Sequence, residues 1–363
     1  MATGYAVKSA FFESGDVSDR LTRSPQWSDD AFRNPGANLN TSLGGMVRSM
    51  WTFATERKDR KPQHTLPRVM ADLAAFEDRN HNRLHVSWLG HSSLMINIDG
   101  HRVLTDPVLE NSVSWVGPSR FNGDVPVDIT DLPLIDLVII SHDHYDHLNK
   151  FTIQNVHPKV ARFVTPIGVG ALLRDWGVPD YKIVELDWWD ELEIDSTLTI
   201  SATPAQHFSG RGLTNRNKTL WASFVITSNS YRVFFGGDSG YFDGFKTIGE
   251  KYGPFDMTFL ECGAYNKLWS EIHMHPEQTL QAHLDLRGNV LHPIHWGTFT
   301  LAPHPWYEPM QRLTAAAAEA GVTVATPIAG GATNYAGDIP TAAWWETSLA
   351  TKQSDPVRAR ATQ

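Results

Sequence analysis

The sequence predicts an α/β protein with four layers, in which two β-sheets pack face to face and helices cover the two outer faces (αββα). Two observations favour this class. From Leu84 onward, short apolar runs are separated by Gly, Pro and Asp, a pattern that is typical of many short strands. Helical segments lie between these runs, and this alternation occurs twice along the chain, which suits two packed sheets with helices outside.

The chain divides into three predicted parts. Residues 1–82 are rich in Asn, Gly, Pro, Arg and Ser, so we expect an irregular N-terminal extension that packs on the main domain. Within it, short helices are predicted only around Leu43–Phe53 and Arg68–Phe76. Residues 83–349 form the predicted main domain, and residues 350–363 form a polar tail.

The main domain contains most of the predicted regular structure. In chain order, the predicted strands are Leu84–Leu89, Ser93–Ile98, His101–Thr105, Leu137–Ile140, Arg162–Val164, Leu198–Ala202, Trp221–Thr227, Tyr231–Phe235, Met257–Leu260, Val290–Pro293 and Thr323–Ala325. Asp99-Gly100 lies between two of them and predicts a two-residue hairpin. The predicted helices are Val169–Trp176, Pro276–Leu284 and Glu308–Ala320. Gly177 and Gly321 suit helix ends, and Pro276 suits a first helical turn.

The composition excludes several classes of protein. A formal net charge of −9 and the absence of a dense Lys/Arg run argue against a nucleic-acid partner. The single cysteine, Cys262, excludes an intrachain disulfide. No apolar run is long enough to span a membrane, and the N-terminal residues lack the pattern of a signal peptide. We therefore expect a cytoplasmic protein.

The strongest chemical signal is the hexapeptide HDHYDH at residues 142–147, which follows an apolar run. The hexapeptide is therefore expected on the loop that leaves a buried strand. In an extended stretch His142 and His144 point to one side, while Asp146 and His147 can turn toward a second ion. Imidazole nitrogens and a carboxylate are the ligands of catalytic zinc sites. A polar surface loop with fortuitous histidines is the alternative, and so many ligands in one loop disfavour it.

Three further residues occupy similar places in the predicted fold. His207, Asp238 and His295 each follow a predicted apolar strand, and two glycines before Asp238 allow a close approach of the backbone. Each residue alone suits a capping or core role. Their shared position at strand ends, together with the hexapeptide, favours a single metal site.

The order HxHxDH…H…D…H resembles that of the metallo-β-lactamase superfamily. The residues around these ligands look like the branch that contains N-acylphosphatidylethanolamine-hydrolysing phospholipase D and its bacterial relatives, over about residues 33–330. The segments that carry this resemblance are Trp88-Leu89-Gly90-His91, Leu104-Thr105-Asp106-Pro107, Gly117-Pro118-Ser119-Arg120-Phe121, Asn217-Lys218-Thr219-Leu220-Trp221, Gly237-Asp238-Ser239-Gly240-Tyr241 and His295-Trp296-Gly297-Thr298-Phe299.

The resemblance implies two zinc ions per chain, and manganese, iron or cobalt can occupy ligands of the same kind. The implied ligands are His142, His144 and His207 for one ion and Asp146, His147 and His295 for the other, with Asp238 bridging both. A hydroxide between the ions would then attack the substrate, because two cations lower the pKa of bound water.

Four other residues receive roles from the same resemblance. His273 matches a histidine that the phospholipase branch places over the metals, where it can orient substrate or donate a proton to the leaving oxygen. Together with Asp146, it is a candidate catalytic residue. His275 replaces an acidic residue of the animal enzyme and either contacts substrate or begins a helix. Asp106 resembles the buried aspartate that orients the histidine loop, and His91 either assists it or is an ordinary loop histidine.

The sequence also contains candidates for a substrate pocket and for a docking surface. The predicted pocket residues are His275, Trp221, Trp269, Trp296 and Phe299, with core packing as the alternative for each aromatic residue. The stretch Leu43–Phe53 leaves three interpretations open, namely docking on a membrane, packing on the main domain, and contact within a homodimer.

The function implied by the resemblance is zinc-dependent hydrolysis of a phosphodiester, of the phospholipase D type, on a lipid or small-molecule substrate. A lipid substrate would place the protein at the inner face of a membrane. The alternative is a lactonase, esterase or amidase-like hydrolase of a small acyl compound, because one fold hosts several hydrolytic reactions. A deep, closed aromatic cavity would favour the small acyl compound, and an open apolar groove near Leu43–Phe53 would favour the lipid.

Overall fold

The computed structural model describes residues 17–34, 51–52, 55, 58–80, 82–114, 117–212 and 214–350. The strands are β1 Trp27–Ser28, β2 Ala31–Phe32, β3 Leu84–Trp88, β4 Leu94–Ile98, β5 His101–Thr105, β6 Ile135–Ile139, β7 Val160–Pro166, β8 Ile183–Leu186, β9 Glu191–Asp195, β10 Leu198–Thr203, β11 Ser223–Ser228, β12 Arg232–Phe235, β13 Phe255–Glu261, β14 Gly288–Ile294, β15 Thr323–Val324 and β16 Ala332–Asn334. The helices are α1 Val17–Arg23, α2 Leu73–Glu77, α3 Lys150–Val156, α4 Val169–Asp175, α5 Gly244–Tyr252, α6 Pro276–Asp285, α7 Glu308–Ala320 and α8 Trp344–Ala350, with short 3₁₀ helices at His157–Lys159 and Asp180–Lys182.

Two seven-stranded sheets form the centre of the fold. Sheet A has the order β16-β3-β4-β5-β6-β7-β8, and sheet B has the order β15-β14-β13-β12-β11-β10-β9. Strands β5 to β8 are parallel neighbours in sheet A, and β12 to β15 are parallel neighbours in sheet B. Parallel neighbours need crossover connections, and helices such as α3 and α6 supply them. The sheets are flanked by helices, so the predicted αββα sandwich is confirmed.

The core explains why the strands of sheet A are apolar on both faces. In β4, Leu94 and Ile96 belong to the large apolar cluster that both sheets share, whereas Met95 belongs to a second cluster with residues of α3 and α4. Side chains alternate between the two faces of a strand. A strand that is covered by the other sheet on one face and by helices on the other is therefore buried throughout and mainly apolar.

The directions of the strands bring their carboxyl ends to one edge of the sandwich. In sheet A, β3 and β5 are each antiparallel to β4, and β6 is parallel to β5. In sheet B, β10 and β12 are each antiparallel to β11, and β13 and β14 are parallel to β12. The chain therefore leaves all of these strands in one direction within each sheet, and the polar residues that follow them gather along that edge.

Several elements differ from the prediction. Strand β9 was missed because it has a charged, exposed sequence, ELEID, and α5 was missed because it begins with glycine and contains a second one. The helix predicted over Arg68–Phe76 is only α2, because the side chain of Asp72 accepts a hydrogen bond from the Ala75 backbone N–H (2.9 Å) and caps the helix there.

The predicted division of the chain into an extension, a main domain and a tail stays a prediction. Most of the helix predicted over Leu43–Phe53, and the tail after residue 350, lie outside the described residues. Within the described ranges, no helix is long and apolar enough to cross a membrane.

Candidate metal centre

The hexapeptide 142–147 lies on the loop that follows β6, as its sequence predicts. The backbone N–H of Ala222 in sheet B donates to Ser141 O (3.0 Å) at the start of this loop. The backbone N–H groups of His147 and Leu148 both donate to His144 O, at 3.1 and 2.8 Å. This turn reverses the chain, so the first and the second half of the hexapeptide face different parts of the site.

Three histidines form the first ligand group. Nδ1 of His144 lies 2.8 Å from Nε2 of His142 and 3.3 Å from Nε2 of His207. His207 follows β10 in sheet B, so this group joins the two sheets. These are the three residues predicted to bind the first ion.

The second ligand group gathers around Asp146. Its Oδ2 lies 3.6 Å from Nε2 of His147 and 3.5 Å from Nε2 of His295, which follows β14. Nε2 of His91 is closer, at 3.0 Å. The structure therefore brings the three predicted ligands of the second ion together and places His91 beside them.

Asp238 lies between the two groups. Its Oδ2 is 3.1 Å from Nε2 of His295, 3.2 Å from that of His147, 3.8 Å from that of His207 and 3.9 Å from that of His142. One buried carboxylate oxygen thus faces imidazole nitrogens of both ligand groups, which is the arrangement expected of a bridging ligand.

The donor atoms fit bound metal ions. Nε2 of His147, Nε2 of His295 and Oδ1 of Asp238 are buried and have no hydrogen-bond partner among the described residues. Burying unpaired polar atoms is unfavourable unless a ligand satisfies them. Nitrogen and carboxylate oxygen are donors that zinc and related divalent metals accept.

The electrostatics of the site favour a cation. Burial lowers the pKa of His142 well below its usual value, which keeps its imidazole neutral and able to bind a metal. At His295 burial also opposes a charge, but Asp238 and Asp146 outweigh it and raise the pKa to about 10. Two carboxylates at this place therefore attract positive charge, which protons or metal ions can provide.

Buried hydrogen bonds fix the ring orientations of the ligands. Asp106 Oδ2 accepts from Nδ1 of His147 (2.7 Å), and Asp106 Oδ1 accepts from the Ser141 backbone N–H (2.7 Å). Nδ1 of His207 lies 3.0 Å from Ile272 O. A hydrogen bond at Nδ1 fixes the ring so that Nε2 points into the site. The structure therefore places Asp106 where the sequence analysis expected it, behind the histidine loop.

The backbone is strained at three of these residues. His91, Asp106 and His295 have φ values of 54°, 36° and 63°, in the left-handed region that residues other than glycine rarely adopt. Such conformations persist where the surrounding structure holds them and are common at functional sites.

Sequence reasoning missed Glu261, the last residue of β13. Its carboxylate is fully buried and accepts a hydrogen bond from Nδ1 of His273 (2.6 Å), the residue predicted to lie over the metals. The ring centroid of His273 is 5.2 Å from those of His207 and His295. One signal could have found Glu261, since it ends an apolar strand beside the strands that precede Asp238 and His295.

Comparisons with known proteins agree with this geometry. Residues 101–296 match the family model described as the beta-lactamase superfamily domain. The chain belongs to the metallo-β-lactamase superfamily. It is 44% identical over 332 residues to an uncharacterized protein of Mycobacterium tuberculosis, covering 89% of this chain and 88% of that one. It is 33% identical over 321 residues to N-acyl-phosphatidylethanolamine-hydrolyzing phospholipase D 1 of Caenorhabditis elegans, covering 82% of this chain and 89% of the relative.

Solved structures support the fold of this metallo-β-lactamase superfamily member. A metallo hydrolase from Ignicoccus hospitalis has a TM-score of 0.54 at 23% identity, covering 70% of this chain and 98% of the other. An isothiocyanate hydrolase from gut bacteria of Delia radicum has a TM-score of 0.54 at 21% identity, covering 69% and 98%. These two structures support the fold, and the family match together with the Caenorhabditis elegans relative supports a metal-dependent hydrolase of the metallo-β-lactamase fold.

Two predicted pocket residues of this metallohydrolase are buried. Trp221 lies in the core, where its indole Nε1 donates to Ala205 O (2.9 Å), and its place in a pocket wall stays a prediction. Trp296 is also buried, with its ring stacked on Trp88 at 5.5 Å between centroids, and it lines the small cavity that His295 borders. Large aromatic side chains remove much apolar surface from water, which favours this placement.

The two other aromatic candidates are Phe299 and Trp269. The ring of Phe299 is 5.3 Å from that of His91, behind the second ligand group. Trp269 is partly buried in the loop before His273, where its Nε1 donates to Ala264 O (2.7 Å).

His275 lines an open cleft with a volume of about 790 Å³. Its lining side chains are mainly polar and include Lys58, Lys267 and Arg312. His304 lines this cleft and also a small cavity that His295 borders, so it lies between the cleft and the second ligand group.

Proposed function

We propose that the protein is a dinuclear zinc hydrolase of phosphodiesters that acts, like phospholipase D, on lipids of the N-acylphosphatidylethanolamine type. The position of Asp238 carries this proposal, because its Oδ2 faces four imidazole nitrogens within 3.9 Å. A carboxylate shared by two histidine groups suits two ions rather than one.

The relatives support the choice of the bond that is cleaved. The similarity to the phospholipase D of Caenorhabditis elegans extends over 82% of the chain. A mitochondrial phospholipase D of the same description from Saccharomyces cerevisiae is 34% identical over 238 residues, which cover 62% of this chain and half of the relative. A lipid or other small anionic substrate is therefore proposed, and a nucleic acid is not.

The charge of the cleft also supports a phosphodiester. Lys58 and Lys267 bring two cationic side chains to its lining, whereas Arg312 there is paired with Glu308 and Glu277. A phosphodiester carries a negative charge, whereas a neutral ester or lactone does not. An open, cationic cleft therefore fits a phospholipid head group better than a small neutral acyl compound.

The residues of the chain have separate proposed tasks in the reaction. When bound, the metal ions would supply Lewis-acid polarisation of a phosphoryl oxygen and would acidify water. Asp106 holds His147 in place, and the Ile272 carbonyl holds His207. His273, which lies over both ligand groups, holds a proton for the leaving oxygen when the phosphorus–oxygen bond breaks.

The test uses a pair of aspartates from the same loop. Asp146 belongs to the second ligand group, whereas Asp143 is buried with its Oδ1 2.7 Å from the backbone N of Gly210 and belongs to none of the candidate ligand groups. We would measure metal content and the hydrolysis of bis(p-nitrophenyl) phosphate, a p-nitrophenyl ester and vesicles of N-acylphosphatidylethanolamine. The proteins compared are wild type, Asp146→Asn and Asp143→Asn.

The proposal expects about two zinc ions per wild-type chain and cleavage of both phosphodiesters. Asp146→Asn should lose phosphodiester turnover by about 10³-fold, because a metal contributes several kcal/mol and each 1.4 kcal/mol is tenfold. Asp143→Asn should stay within about threefold of wild type, since an amide oxygen still accepts the bond from Gly210. Turnover of the carboxylic ester alone would replace the proposal with the acyl-hydrolase alternative.

A further inference from the structure

Glu261 has an environment that packing alone does not explain. Its side chain is fully buried at the end of β13, and it accepts three hydrogen bonds. Oε2 accepts from Nδ1 of His273 (2.6 Å), and Oε1 accepts from the backbone N–H groups of Ser239 (3.0 Å) and Met274 (3.2 Å). Burying a carboxylate is unfavourable unless it is paired in this way.

These three bonds connect the parts of sheet B that face the metals. Ser239 follows Asp238, and Met274 follows His273, so one carboxylate fixes the loop of a candidate bridging ligand and the loop of a candidate proton donor. The bond to Nδ1 also determines which edge of the His273 ring is free. Nε2 lies on the opposite edge and makes no hydrogen bond within the described part of the chain.

The ring of His273 lies beside the metal ligands. Its centroid is 5.2 Å from those of His207 and of His295, one from each ligand group. The side chain is 13% exposed, so its ring is accessible from solvent. A histidine whose Nδ1 is bound to a buried carboxylate keeps a proton there and uses Nε2 for chemistry.

We propose that Glu261 is the positioning residue of a Glu261–His273 pair, in which His273 Nε2 protonates the leaving oxygen of the phosphodiester. This inference rests on the proposed function. In the step, the oxygen of water bonds to phosphorus and the bond from phosphorus to the leaving alcohol oxygen breaks. His273 gives its Nε2 proton to that oxygen, and the attacking water releases a proton to solvent, from which His273 is reprotonated.

Proton donation by the Glu261–His273 pair makes the rate depend on the leaving group, whereas a purely structural role does not. An alkoxide leaving group is a strong base and needs a proton when the bond breaks, whereas p-nitrophenolate leaves readily without one. General acid catalysis typically contributes about 10²- to 10⁴-fold. Loss of Glu261 should therefore slow the cleavage of alkyl phosphodiesters much more than the cleavage of nitrophenyl phosphodiesters.

The experiment compares zinc-loaded wild type, Glu261→Gln, His273→Asn and the double variant on bis(p-nitrophenyl) phosphate and on vesicles of N-acylphosphatidylethanolamine. Glu185→Gln is the matched control. Like Glu261, Glu185 is a buried glutamate that accepts backbone N–H bonds, from Gly168 (2.8 Å) and Gly170 (3.0 Å). It lies on β8, the edge strand of sheet A, and it is not part of the candidate metal centre.

We expect Glu261→Gln to lower kcat for the lipid by about 10²-fold or more, with KM within about threefold and about two zinc ions retained. Its effect on the nitrophenyl substrate should be under about tenfold. On the His273→Asn background it should add little, because residues that act as a unit are not additive. Glu185→Gln should leave the ratio of the two rates unchanged.

A second readout does not depend on activity. The short bond to Glu261 should give a low-field proton NMR signal from Nδ1 of His273 in the zinc-loaded protein, which both Glu261→Gln and His273→Asn remove. The inference would be overturned if Glu261→Gln lost turnover equally on both substrates or lost zinc. It would also be overturned if the effects in the double variant were additive, or if the low-field NMR signal persisted in either variant. Failure of the wild type to cleave either phosphodiester would instead remove the proposed function, and the NMR signal would still decide whether the pair exists.

Discussion

Sheet A and sheet B contribute to one site in different ways. After β6, sheet A supplies His142, His144, Asp146 and His147 from a single loop. Sheet B supplies His207, Asp238 and His295 from three loops that follow β10, β12 and β14. The candidate ligands of sheet A are therefore local in sequence, whereas those of sheet B are brought together by the common direction of its strands.

A second comparison concerns one buried carboxylate in each sheet. Asp106 directly follows β5, and Glu261 ends β13; each lies on a strand parallel to the neighbour that leads into a ligand loop. Each accepts a hydrogen bond from a serine next to a candidate ligand, Ser141 in sheet A and Ser239 in sheet B. They differ in the histidine that they hold, because Asp106 holds a candidate ligand and Glu261 holds His273. The same arrangement, a buried carboxylate bonded to a serine backbone and to a histidine ring, thus positions a candidate metal ligand in sheet A. In sheet B it positions, in our proposal, a proton donor.

Replacing the two candidate ligand carboxylates should show the largest effect and the sharpest contrast between the sheets. Asp238 contacts both ligand groups, whereas Asp146 contacts the second group. We expect Asp238→Asn to reduce activity by about 10³-fold or more and to lower the affinity for both metal ions. Asp146→Asn should lower the affinity for one metal ion only, so that about one metal ion per chain remains bound. Elemental analysis after dialysis measures the difference, and equal metal contents in the two variants would contradict the bridging role of Asp238.

The contact between the two ligand loops should be sensitive to a single methyl group. At Gly237 (φ +57°) a Cβ atom would lie 2.5 Å from Cβ of Ser141, across the boundary between the sheets. Gly321 is the matched control, because it has a similar φ of +69° and nothing within 4 Å of an added Cβ. Gly321→Ala should lower the free energy of unfolding by about 1–2 kcal/mol through its left-handed backbone alone.

Gly237→Ala should lower the free energy of unfolding by about 1–3 kcal/mol more than the control, because the loops must also move apart. Urea unfolding in the presence of a chelator measures this difference without a contribution from metal binding. Equal losses in the two variants would show that the loops can separate freely.

The two buried carboxylates should differ in their effect on metal affinity. Asp106→Asn removes the charge that holds Nδ1 of His147, and partners of this kind typically contribute about 10- to 100-fold to metal affinity. Glu261→Gln should change affinity by less than about threefold, since His273 is not a predicted ligand. Competition with a zinc chelator measures both. A greater loss of affinity in Glu261→Gln than in Asp106→Asn would reverse the assignment of roles.

The sequence was sufficient to predict the parts of the site whose residues are adjacent in the chain or directly follow a strand. The hexapeptide 142–147 is recognisable because its ligands are adjacent, and the apolar runs before it predict the buried strand. His207, Asp238 and His295 were found because each follows a predicted strand and the fold brings strand ends together. The roles of all seven residues as ligands remain predictions that metal analysis can test.

What the sequence could not supply depends on distant contacts. Glu261 ends a strand like any acidic residue that meets solvent, and only its burial and its bond to His273 distinguish it. Trp221 is next to residues that resemble a family motif, yet its indole turns into the core. An edge strand such as β9 is charged because it is exposed, so its sequence resembles a loop.

The last comparison concerns one buried histidine in each sheet. His292 in β14 and His85 in β3 are buried, and neither ring has a hydrogen-bond partner among the described residues. Burial lowers the pKa of His292 to about 4 and also lowers the pKa of His85. An unfolded histidine has a pKa of about 6.5, so between about pH 6.5 and 4 the unfolded chain binds a proton that His292 in the folded protein does not.

Acid should therefore destabilise the folded protein through His292, with the stabilising contribution complete above about pH 6.5 and lost as the pH falls toward 4. Relative to wild type, His292→Leu should gain about 1.4 kcal/mol in the free energy of unfolding for each pH unit below about 6.5. His85→Leu should show the same sign over a narrower range, because the ring of His85 is less deeply buried. Urea unfolding between pH 7.5 and 4.5 with a chelator present measures these slopes. Parallel curves for His292→Leu and wild type would show that folding does not lower the pKa of His292, and a steeper effect from His85→Leu would place the more acid-sensitive histidine in sheet A.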